Sequence, residues 1–137
     1  MTSSVARIGH VGSGRKVGES GAARILDRAD QFLARAGGSP APADQYREIY
    51  HAALRGAAAL LAARETGVRR PTRNAWLRLA KAAPGYAEWV AYFTSVSGVV
   101  AALETSARTV TAEEVATLHG RVQTFLNQVE ADLAPAA

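Results

Sequence analysis

Between Pro71 and Phe93 the chain carries both of its tryptophans and two of its five prolines, with its densest positive charge on the upstream edge. Trp76 and Trp89 flank a Pro84-Gly85 corner. Before the corner, Trp76, Leu79, Ala80 and Ala83 recur at helical spacing. After it, Tyr86, Trp89, Val90, Phe93, Val96, Val100 and Leu103 do the same. Apolar steps of three and four residues are the period of an α-helix with one buried face. The stretch therefore predicts a short helix from Thr72 or Arg73 to about Ala83, a turn, and a long helix to about Ala107. Both indoles should sit in the core. Thr72 or Asn74 can cap the short helix. Pro84 cannot continue its hydrogen-bond ladder but suits the first turn of the next helix. Gly98, with Ser95 and Ser97, thins one side of the long helix and suggests a close neighbour there.

Helical spacing also organises the flanking sequence. Ile25, Leu26, Ala29, Phe32, Leu33 and Ala36 define a first helix from about Ser20, with Ser20 as a candidate cap, and Gly37-Gly38-Ser39-Pro40 stops it. Tyr46, Ile49, Tyr50, Ala53, Ala57, Leu60 and Leu61 define a second, from about Ala43 to Glu65. A glycine inside a helix costs roughly 1 kcal/mol against alanine, so Gly56 implies close packing at that point. Thr111-Ala112-Glu113-Glu114 fits a capping box, in which threonine and glutamate satisfy each other's free backbone N–H groups. It opens a fifth helix whose apolar face runs through Val115, Leu118, Val122, Phe125, Leu126, Val129 and Leu133. No segment alternates with period two. An all-α, compact, mostly antiparallel bundle of five helices over residues 20–134 is expected, preceded by a flexible Gly/Ser-rich basic tail over residues 1–19.

Composition narrows the chemistry. Without cysteine, disulfides, thiolate metal sites and a cysteine nucleophile are excluded. His10, His51 and His119 lie on three separate segments without ligand spacing, so no metal or other cofactor is expected. No apolar run approaches the roughly 18 residues needed to cross a bilayer, and the first residues lack the apolar centre of a secretory signal. No membrane role is expected, and a cytoplasmic location is. Net charge is +4, with 14 arginines against 2 lysines and 30 alanines, a bias typical of a GC-rich genome. Such a balance permits a nucleic-acid partner without requiring one.

Two patterns resemble sites. Gly9 to Lys16 approaches a phosphate-binding loop, but Arg15 stands at the lysine position, Lys16 at the hydroxyl position, and no strand precedes it. The other is the connector between the second and third helices. There Arg64, Arg69, Arg70, Arg73, Arg78 and Lys81 face only Glu65 among acids, and Asn74 could add hydrogen bonds to a bound phosphate. Arg47 and His51 form a weaker alternative, one helical turn apart on the second helix.

The residues Asp44-Gln45-Tyr46-Arg47, Ala52 to Ala59, the arginine-rich connector, Asn74-Ala75-Trp76, Pro84, Ala87 to Phe93 and Thr111 to Glu114 together resemble a HEPN domain. HEPN denotes the higher eukaryotic and prokaryotic nucleotide-binding helical superfamily, and the likeness is to a small actinobacterial, Streptomyces-type subfamily. It spans about residues 20–134 and implies a helical fold and a homodimer. Many such domains are metal-independent RNases of toxin–antitoxin type, using an arginine followed by a histidine after four to six residues. In that chemistry the histidine moves a proton and the arginine holds the scissile phosphate. Here Arg47 and His51 are separated by three residues, Arg7 and His10 by two, and Arg108 and His119 by ten. No catalytic position carries over. The expectation is a non-catalytic module binding RNA, another nucleic acid or nucleotides, or a protein partner. The alternatives are a divergent RNase built on Arg47, His51 and the connector, and a purely structural interaction domain.

Overall fold

The computed structural model describes residues 16–36, 41–65 and 72–135. They form five α-helices: α1 (Lys16–Ala36), α2 (Pro42–Arg64), α3 (Ala75–Ala82), α4 (Ala87–Glu104) and α5 (Ala112–Leu133). A single 3-10 turn, Pro84–Tyr86, joins α3 to α4. No strand occurs among the described residues, so the all-α reading holds. Of the tail expected over residues 1–19, residues 1–15 lie outside them, and 16–19 are corrected to the first turn of α1. α1 begins at Lys16, so Ser20 falls inside the helix instead of capping it.

α2 is the central element because its narrow, alanine-rich surface lets neighbours approach from several sides. It packs against α1, α3, α4 and α5. Tyr46, Ile49, Tyr50, Ala53, Ala57, Leu60 and Leu61 are all buried, as the spacing required. Gly56 is where the approach is closest. A Cβ there would lie 2.5 Å from Leu126 Cδ2 and 3.0 Å from Phe125 Cε2 of α5.

The aromatic centre joins α3, α4 and α5. Phe93 and Phe125 are fully buried with ring centroids 5.0 Å apart. Phe93 also stacks nearly parallel to both indoles, at 4.8 Å from Trp76 and 5.7 Å from Trp89. Trp76 is buried, and its Nε1 donates to the Tyr50 hydroxyl at 2.9 Å, so the indole enters the core without leaving a donor unpaired. Trp89 is only half-buried; its Nε1 reaches the Gln128 side chain at 2.9 Å. Tyr86 is buried, and its hydroxyl donates to Asp132. Burial and that carboxylate push its pKa up.

Three local expectations are corrected. Ala80 is exposed, since the buried stripe of α3 is Trp76 and Leu79, with Ala83 following at the C-cap. Gly98 is exposed with nothing within 4 Å of a Cβ, so no helix approaches it. α4 stops at Glu104, three residues before Ala107, because the chain turns back on itself. Ser106 adopts φ 59°, Ser106 N–H bonds Leu103 at 3.2 Å, and Ala107 N–H bonds Ala102 at 2.9 Å. That pair of bonds is a Schellman C-cap. The capping box at Thr111 and Glu114 forms as expected, with bonds of 2.9 and 3.1 Å. The backbone N–H of Thr111 and the Arg108 guanidinium hold the Glu114 pKa low.

Candidate functional site

α1 carries Arg28, Gln31, Phe32 and Arg35 at positions i, i+3, i+4 and i+7, which places them along one face. α2 carries His51 and Arg55 one turn apart, facing that stripe. Between the helices lies a cleft of about 250 Å³ lined by Arg28, Gln31, Phe32, Arg35 and Arg55. Phe32 is its floor. The Arg55 guanidinium carbon sits 4.6 Å from the Phe32 ring centroid and that of Arg35 at 5.6 Å. Cation–π attraction of this kind anchors an arginine without neutralising it. His51 meets the same ring edge-on, with centroids 6.4 Å apart.

The charge in this cleft is uncompensated. Among the described residues the ion pairs are Arg47–Asp44, Arg78–Glu65 and Arg108–Glu114, and none involves Arg28, Arg35 or Arg55. Arg55 Nε is sealed from solvent without a hydrogen-bond acceptor. A buried donor left unpaired costs about 1–3 kcal/mol, and three like charges lining one cleft repel each other. Both costs fall when an anion enters. Asp30 serves another side of α1. Burial raises the Asp30 pKa, and the neighbouring Glu130 of α5 and Asp27 raise it further. α1 thus turns an acidic edge toward α5 and a basic one toward the cleft.

The expected sites fare differently. Arg64, Arg73 and Lys81 are exposed and have no ion-pair partner among the described residues. Arg69 and Arg70 lie outside the described residues. Arg78 is held by both carboxylate oxygens of Glu65, with Nε at 3.0 Å from Oε2, and this fork lowers the Glu65 pKa. Asn74 Oδ1 accepts the backbone N–H groups of Trp76 at 3.0 Å and Leu77 at 3.2 Å. It is the N-cap of α3, so its carbonyl oxygen is already used. Arg47 is bonded to Asp44 of its own helix. His51 is exposed at the cleft rim, beside Phe32 and Tyr50, and His119 is half-buried on α5. Gly9 to Arg15 of the loop-like pattern lie outside the described residues, and Lys16 opens α1.

The cleft was missed because its walls belong to different helices. The Arg28, Phe32 and Arg35 spacing is visible in the sequence, but its meeting with Arg55 depends on how α1 and α2 are set against each other. Among the described residues no three His, Asp or Glu side chains gather as a metal site. No helix among them is long and apolar enough to cross a membrane.

In comparison with known proteins, the family model described as SAV_6107-like HEPN matches residues 36–130. No curated protein and no solved structure matches the chain. The matched segment contains α2, α3, α4 and most of α5, and with them His51 and Arg55. The α1 wall of the cleft precedes it.

Proposed function

The chain belongs to the SAV_6107-like HEPN family, and from that premise we propose that it is a non-catalytic module that binds RNA by phosphate contacts in the α1–α2 cleft. One observation carries the reading: Arg28, Arg35 and Arg55 line one cleft with Phe32, and no carboxylate among the described residues is paired to any of them. Guanidinium groups are the side chains best matched to phosphate oxygens, and phosphate contacts supply most sequence-independent affinity for nucleic acid. Arg64, Arg73 and Lys81 extend the exposed positive charge elsewhere on the surface.

The non-catalytic half rests on spacing and on Arg47. The arginine-to-histidine interval of the family's RNases does not occur in this sequence. The one helical Arg–His neighbour pair with an arginine first, Arg47 and His51, has its guanidinium engaged by Asp44. His51 sits beside the arginine cleft, which is the feature that would favour a divergent RNase. One titration addresses both halves. Labelled single-stranded RNA should bind with an affinity that falls with salt, at a log–log slope of about −0.7 for each phosphate contacted. The RNA should stay intact in EDTA. Salt-independent binding, or none, would overturn the RNA reading. Cleavage in EDTA that disappears in His51→Ala would overturn the non-catalytic one.

A further inference from the structure

Within that RNA-binding reading, on which this step rests, we infer that the α1–α2 cleft holds the terminal phosphate of an RNA strand, a phosphomonoester, in preference to an internal phosphodiester. Charge is the first reason. A phosphomonoester carries about −1.5 to −2 at neutral pH and three strong acceptor oxygens, whereas a diester carries one negative charge. Three guanidinium groups without an ion-pair partner among the described residues, together with the Gln31 amide, match the former more closely.

Size is the second. The cleft, at about 250 Å³, is smaller than the roughly 300–1,000 Å³ of pockets that enclose a drug-sized ligand. It accommodates a phosphate group with little of the nucleoside behind it. An internal phosphate would need the strand to leave the cleft in two directions, while a terminal one enters end-on.

The third reason concerns the base. Single-strand binders commonly stack bases on exposed aromatic faces. Phe32, the aromatic residue lining the cleft, already has the Arg55 and Arg35 guanidinium groups over its ring and His51 at its edge. The guanidinium groups already over that ring compete with a base for it, which favours phosphate over base in the cleft.

The test uses one RNA sequence in three forms: 5′-phosphorylated, 3′-phosphorylated, and with hydroxyl groups at both ends. Inorganic phosphate and a nucleoside monophosphate serve as competitors. At least one phosphorylated form should bind about tenfold or more tightly than the hydroxyl-ended strand. That advantage should vanish in Arg55→Gln and shrink in Arg28→Gln, an exposed position whose replacement leaves the fold intact. Equal affinity for all three strands would overturn the end preference while leaving RNA binding standing. Failure of every strand to bind would instead remove the RNA reading beneath it. Displacement by inorganic phosphate or the monophosphate at strand-like concentrations would overturn the strand as the source of the phosphate.

Discussion

Gly56 and Gly98 are both interior helix glycines, and their surroundings are opposite. At Gly56 a methyl group would press on Leu126 and Phe125, both fully buried and unable to swing into solvent. Overpacking of this kind costs about 1–3 kcal/mol, against roughly 1 kcal/mol regained from helix propensity. Gly56→Ala should therefore lower stability in urea denaturation or leave it level at best. Gly98→Ala meets nothing within 4 Å and should raise stability by up to about 1 kcal/mol. A stabilising Gly56→Ala would mean that α2 and α5 do not pack at this distance. Both glycines suggest close packing when only the chain is read. What separates them is the neighbour, and a neighbour is a tertiary fact.

At the scale of elements, α4 ends in a C-cap that uses an unfavourable residue. Ser106 stands at φ 59°, where a side chain costs roughly 1–2 kcal/mol and glycine is preferred. Ser106→Gly should stabilise the fold by about 1 kcal/mol, read as a higher midpoint with an unchanged urea slope. A fall in midpoint would show that the left-handed cap is not populated. The helices themselves were largely legible, because apolar spacing and local chemistry are written along one segment. The Thr111–Glu114 box, the Asn74 cap and the buried stripe of α2 all follow from residues within a few positions of each other. Ala80 was misread because alanine satisfies an apolar pattern whether it faces the core or solvent. The connector shows the same limit of a sequence count. Counting its arginines could not show that Glu65 holds Arg78, or that Asn74 already serves the α3 backbone.

In the molecule as a whole, α2 joins both parts of the design. One side, through Gly56 and Tyr50, meets the aromatic centre; another, through His51 and Arg55, closes the cleft against α1. Family membership rests on residues 36–130, whereas the cleft needs Arg28, Phe32 and Arg35 from the helix that comes before. A domain so arranged keeps the helical scaffold of its family and places its uncompensated charge where α1 crosses it. The most direct measurement is an NMR titration of the arginine Nε–Hε signals with single-stranded RNA. Binding at the cleft predicts that the signals of Arg28, Arg35 and Arg55 move together and saturate at one strand per site, with that of Arg55 slow to exchange with solvent before RNA is added. Movement confined to Arg64 and Arg73, with the three cleft arginines unchanged at saturation, would contradict it.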